Sequence, residues 1–106
     1  MHKHITMHAV DDAVDHESHV SGNVWPPHTP VQVYVHSLTD GKWYKQEPAR
    51  IHGIHWSTTV KYGYLMESVG HEFEVVAVIG RHIEENVLDQ MPDDVLKSHA
   101  QRTRRK

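Results

Sequence analysis

Between Val31 and His36 the chain reads Val-Gln-Val-Tyr-Val-His, a strict alternation that sets Val31, Val33 and Val35 against Gln32, Tyr34 and His36. Only an extended backbone sorts residues with a period of two, so this segment is expected to be a half-buried strand resting on a core. The block before it, Trp25-Pro26-Pro27-His28-Thr29-Pro30, excludes a regular ladder, because proline donates no backbone hydrogen bond. After it, Thr39-Asp40-Gly41-Lys42 carries the Asp-Gly pair favoured in tight hairpin turns. Trp43 to Glu47 should therefore return antiparallel and stop at Pro48.

Two further segments carry strand signals. From His55 onward, Trp56, Thr58, Val60 and Tyr62 alternate with Ser57, Thr59 and Lys61, and the run is rich in β-branched and aromatic residues. Glu72 to Ile79 begins by alternating and becomes continuously apolar, the pattern of a strand covered on both faces at the centre of a sheet. Gly63, Gly70 and Gly80 fall where loops are needed. Upstream, Ile5 to Val10 reads as a strand, Asp11 to His19 as a loop or one helical turn, and His19 to Val24 as a short β-like stretch. Near the C-terminus, Ile83, Val87, Leu88 and Met91 recur at helical spacing, and Pro92-Asp93-Asp94 resembles a helix start. A short helical connection is expected near residues 84–97. The competing reading makes Ser98 to Arg104 a last, polar edge strand.

A chain of 106 residues has room for one domain with a modest core. With 38% hydrophobic and 24% charged residues it has the composition of a folding chain. It contains no cysteine, which removes disulfides, thiolate metal ligands and a thiol nucleophile. Met1 to Val10 has no apolar signal core and no run approaches a membrane span, so a soluble chain is expected. A periplasmic or extracellular location would require a leader already removed.

Five segments in order carry a resemblance. They are Val20-Ser21-Gly22-Asn23-Val24, the strand ending at His36, Gly41-Lys42-Trp43-Tyr44-Lys45-Gln46, Gly53-Ile54-His55-Trp56, and Gly70-His71-Glu72-Phe73-Glu74-Val75-Val76-Ala77-Val78-Ile79. Together they resemble small bacterial Ig-like β-sandwich modules with a G-x-W-Y-x-Q, G-x-W and G-x-x-F-E-V-x-A layout. The resemblance spans roughly residues 19 to 80. It implies a mainly β, single antiparallel β-sandwich over residues 19–106, preceded by a His-rich segment, residues 1–18. It implies fold more than function, and it explains neither the absent disulfide nor the histidines.

Histidine is the compositional outlier, with twelve residues. Formal net charge is −3 with all of them neutral, and twelve added protons carry it to +9. That swing lies in the physiological window and implies lowest solubility near the sequence pI of about 6.4. On a strand, His2, His4 and His8 would share one face, and His16 and His19 would share one side of a helical turn. Zinc, nickel or copper would accept the first group as ligands, and His16 and His19, with Asp15 and Glu17 between and beside them, could pin one cation. His52 and His55, three apart, would meet only across a bend at Gly53. The H-E-x-x-H protease helix is absent, since Val75 stands where His71-Glu72 would need the second histidine. No G-x-S-x-G elbow or phosphate-binding glycine loop occurs either, and no enzymatic activity is expected.

Three Trp and four Tyr against one Phe favour rings with a polar handle. Trp43 or Trp56 is expected in the core, while Tyr34, Tyr44, Tyr62 and Tyr64 form a candidate exposed patch for a protein, peptide or carbohydrate partner. The basic ending Arg102-Thr103-Arg104-Arg105-Lys106 is short in a net-negative chain, so nucleic acid is not the expected partner. The leading reading is a non-catalytic binding module, with open strand edges that would permit homo-oligomers. The alternative is a histidine-based transition-metal-binding protein.

Overall fold

The alternating run forms strand β4 (Gln32–Ser37), with Val31, Val33 and Val35 buried on one side. It lies in a computed structural model that describes residues 2–63 and 69–106. Among the described residues the chain is all strand: β1 (His4–Met7), β2 (Ala13–Val14), β3 (Glu17–Trp25), β4, β5 (Trp43–Lys45), β6 (Arg50–His52), β7 (His55–Lys61), β8 (Glu72–Gly80), β9 (Val87–Leu88), β10 (Val95–Lys97) and β11 (Gln101–Arg105). No helix there is long and apolar enough to cross a membrane.

These strands build two sheets. One is four-stranded and antiparallel, in the order β1-β3-β7-β6. The other runs β2-β11-β8-β4-β5-β9, with β10 also pairing β8. The N-terminal chain contributes to both: β1 pairs β3 antiparallel, then β2 crosses over and pairs β11 in parallel. The hairpin at Asp40-Gly41 forms as expected, with Gly41 at φ 76 and Lys42 N donating to Asp40 Oδ1 at 2.8 Å.

One apolar layer joins the sheets face to face. Ile5, Met7, Val20, Val24, Trp56 and Val60 meet Val33, Val35, Phe73, Val75, Ala77 and Ile79 within a single cluster. Each set is every second residue of its strand, so the periodicity alone sorts core from surface. β8 is buried on both sides: Val76 and Val78 face away from this layer and join a second cluster with Tyr34, Ile83 and Met91.

That second cluster corrects the expected helix. No helix forms over residues 84–97; the chain from Arg81 to Asp94 runs as a strap over the outer face of the larger sheet, carrying β9 and leading into β10. Its apolar residues, though helically spaced, divide: Ile83 and Met91 are buried while Val87 is 48% exposed. A helix supplies its own backbone partners, but here the sheet supplies them. Gln32 Nε2 donates to Ile83 O at 2.9 Å and Gln32 Oε1 accepts from Ile83 N at 2.9 Å. Tyr34 Oη donates to Glu85 O at 2.9 Å and Lys45 Nζ to Ile83 O at 2.6 Å. With these groups satisfied, the extended strap has no need of helical hydrogen bonds.

The polar strand reading of the C-terminus matches β11, which lies between β8 and β2. Its basic residues are tied in: Arg102 Nη2 donates to Glu72 Oε2 at 2.8 Å, and buried Arg105 donates from Nη1 to Tyr62 O at 3.0 Å.

Candidate binding face

The two sheets differ in what covers their outer sides. The strap and its apolar cluster cover the part of the larger sheet that carries Tyr34, Val76 and Val78, leaving Glu72 and Arg102 exposed beyond it, while the four-stranded sheet presents a polar outer face. Parity places His4 and Thr6 of β1, with His8 just past its end, His19, Ser21 and Asn23 of β3, Arg50 and His52 of β6, and His55, Ser57 and Thr59 of β7 on that side.

Register arranges them in rows. Asn23 lies opposite both Thr6 and His55, and His55 opposite His52. One step along, Ser57 lies between Ser21 and Arg50, and beyond it Thr59 faces His19. At one end Trp25, 46% exposed, lies opposite His4; at the other, Glu17 and Lys61 approach to 3.9 Å. A cleft of about 330 Å³ opens in this face, lined by His19, Glu47, Pro48, Arg50, Ser57, Thr58 and Thr59. Its far wall is fixed: Thr58 Oγ1 donates to Glu47 O at 3.0 Å, and Gln46 Oε1 accepts from Lys61 N at 2.8 Å.

The histidines proposed as metal ligands are spread along this framework. His2 and His4 keep their rings 6.4 Å apart. His8, four residues past His4 along an extended chain, is about 13 Å further on, beyond the reach of a shared ion. It lies instead 3.2 Å from Ser21 Oγ. Residues 11–19 form no helical turn, so the expected shared side is absent: His16 lies at a bend between β2 and β3, and His19 lies within β3. His16 donates from Nε2 to Gly63 O at 2.9 Å, and His19 lines the cleft. Among the described residues no three His, Asp or Glu side chains converge as a metal site. His52 and His55 do pair across the turn at Gly53, whose φ is 63.

The tyrosine patch does not form as expected. Tyr34 and Tyr62 are 0% exposed: the strap covers Tyr34, and Tyr62 belongs to the core between the sheets, its hydroxyl 2.8 Å from Ser18 Oγ. Burial, helped by the Glu85 charge, pushes the Tyr34 hydroxyl up to about 12, and burial raises Tyr62 against the opposing Ser18 hydrogen bond. Tyr44 is half-buried and donates its hydroxyl to Asp40. Tyr64 lies outside the described residues. Of the tryptophans, Trp56 is the core residue, while Trp43 stacks on His36 with centroids 3.9 Å apart.

Sequence reading did not single out Arg50, Ser57 or Thr59 as site residues. The signal was present in the outward parity of Ser57 and Thr59, but their proximity to Arg50 and His19 depends on pairings between strands distant in sequence. Comparison with protein-family models, curated proteins and solved structures finds no significant match to this chain.

Proposed function

We propose that this chain is an Ig-like β-sandwich module that acts by binding, without catalysis, and that its partner docks on the open outer face of the four-stranded sheet. Strand order supports the fold assignment. In Ig domains the first, second, fifth and fourth strands form one sheet, and the third, sixth and seventh form the other. Counting β1 and β2 as one divided first strand, the order β1-β3-β7-β6 fits the former, and β4, β8 and β11 fit the latter. The chain departs from antibody-type domains in having no disulfide and in carrying its core tryptophan, Trp56, on β7.

The single observation that carries the binding reading is the inequality of the two outer faces. The four-stranded sheet offers an uncovered outer surface with an open cleft, built from imidazoles, hydroxyls and one arginine on rigid strands. Sites on sheets hold their groups more precisely than sites on loops. A protein or a carbohydrate fits such a surface. The test is to screen the domain on glycan and peptide arrays, then to rank every hit with Ser57→Arg, which blocks the open face, and with Leu96→Arg on the other sheet. Hits lost with the first and kept with the second support the reading. The reverse pattern, or chemical turnover of a bound ligand, overturns it.

The alternative of a histidine-based zinc, nickel or copper protein rests on two pairs, His2 with His4 and His52 with His55. Two imidazoles leave half of a tetrahedral shell empty, so this reading ranks second.

A further inference from the structure

The geometry points to a saccharide as the ligand of the cleft between β6 and β3, held by Arg50, Glu47 and His19 over a floor of Ser57 and Thr59. This inference rests on the reading of the open sheet face as the binding surface and specifies its chemistry.

The first argument is charge. Glu47 and Arg50 line the same cleft three residues apart in sequence, yet neither side chain takes part in a hydrogen bond or ion pair among the described residues. A carboxylate and a guanidinium left unpaired in one cleft keep their full bonding capacity, and their charges offset each other. A phosphate or sulfate would meet one arginine beside a repelling carboxylate. A neutral ligand rich in hydroxyls meets no such conflict.

The second argument is shape. Guanidinium and carboxylate groups are planar and two-pronged, so each can bind two neighbouring hydroxyls at once. Adjacent hydroxyls on a sugar ring present that pairing. Arg50 faces Ser57, and His19 faces Thr59 two residues further along β7. With two strand spacings and two residues between them, the Cα atoms of Arg50 and His19 lie about 12 Å apart. One sugar ring fits between the side chains, with the Ser57 and Thr59 hydroxyls beneath it. Pro48 gives the wall an apolar surface for the C–H side of the ring. The volume of about 330 Å³ falls within the range of small-ligand clefts.

The third argument is rigidity. Thr58, itself buried, clamps the Glu47 carbonyl from the core side, and Gln46 holds the same segment to β7. The wall is therefore in place before a ligand arrives, which lowers the entropy lost on binding.

The test is a ¹H–¹⁵N chemical-shift titration of the whole chain with five neutral sugars, maltose, cellobiose, lactose, chitobiose and mannobiose, each to tens of millimolar. Arg50→Ala and Thr59→Val serve as variants, with dispersed spectra confirming their fold. The expected result is saturable shifts at His19, Arg50, Ser57 and Thr59 for at least one sugar, with the dissociation constant raised at least tenfold by Arg50→Ala. Shifts confined to the Trp25 end of the sheet would overturn the cleft assignment while leaving the open face as the binding surface. No saturable shift with any of the five sugars would overturn the saccharide assignment itself; array hits sensitive to Ser57→Arg would still uphold the face.

Discussion

Trp56 donates its indole Nε1–H to the backbone carbonyl of Thr6 across 2.9 Å, joining the core of β7 to the edge strand β1. Thr6 keeps its place opposite Asn23 in the β1–β3 ladder, and Asn23 N donates to Thr6 Oγ1 at 3.2 Å. Gly22 makes the arrangement possible. A Cβ there would lie 1.9 Å from Thr6 O and 2.8 Å from Trp56 Nε1, distances that real Cβ atoms do not show. Because the nearest atom is backbone, β1 itself would have to move.

Gly22→Ala is therefore expected to destabilise the domain by about 3 kcal/mol, at the upper end for overpacked sites. Ser21→Ala, one residue away on the polar face, should change stability by no more than about 0.5 kcal/mol. Urea unfolding followed by tryptophan fluorescence measures both. Equal midpoints for Gly22→Ala and the parent would show that β1 does not lie as described.

The strap should behave as part of the fold. Ile83 of the strap is fully buried against the sheet, so Ile83→Ala should cost about 2–5 kcal/mol. Gln32→Leu leaves the N–H of Ile83 without its partner, while the C=O keeps Lys45 Nζ, and should cost about 1–3 kcal/mol. In hydrogen exchange, the Ile83 amide should be protected in the parent and exchange at least tenfold faster in Gln32→Leu. An unprotected Ile83 amide in the parent would mean that the strap is not docked in solution.

Tyr34 gives the fold an alkaline limit. Its hydroxyl loses its proton at about 12 in the folded chain, against an ordinary value of 10.0 in the unfolded one. Above pH 10 the unfolded chain binds fewer protons at this position than the folded chain, so stability falls as pH rises. The contribution is fully present below pH 10 and is lost between pH 10 and 12, amounting to about 3 kcal/mol. Tyr34→Phe lacks this dependence. Its stability deficit against the parent, measured by urea unfolding, should be largest near pH 9 and should shrink as pH approaches 11.5. A deficit constant over that range would contradict the burial of this hydroxyl.

What the sequence made legible was local and periodic. The inward residues of β4, β7 and β8 can be read from alternation, and the hairpin at Asp40-Gly41 from its turn chemistry. The strap was not legible, because Ile83 and Met91 are spaced as on a helix, and the groups that hold it extended come from Gln32, Tyr34 and Lys45, far away in sequence. For the same reason Tyr34 looked outward-facing: parity places it opposite the valines, and only the strap turns that side into a second core. The cleft was half legible. The outward hydroxyls followed from period two, but bringing Arg50 and His19 to either side of Ser57 and Thr59 required the register of three strands. The histidines of the metal set are not gathered at one point, since one face of an extended strand spreads its residues over many ångströms where a helix would gather them.

The last prediction concerns that set. Since His4, in β1, and His8, just past its end, are separated by about 13 Å of extended chain, and His16 is engaged with Gly63, no ion can be shared by His2, His4, His8, His16 and His19 together. Only the two-histidine pairs remain, and a site with two protein ligands binds weakly. For ligand concentrations at or below the dissociation constant, linkage limits the stabilisation to about 0.4 kcal/mol. In a domain of this size that corresponds to under about 3 °C. Chelator-treated, tag-free protein at pH 7.5, given stoichiometric zinc, nickel or copper in turn, should therefore keep its unfolding midpoint within that range. Any residual shift should vanish when His52 and His55, or His2 and His4, are replaced by Gln, and should be unaffected by replacing His8, His16 and His19. A large, saturable rise that depends on those last three would require the N-terminal strands to gather around an ion, and the extended register of β1 and β3 would then be wrong.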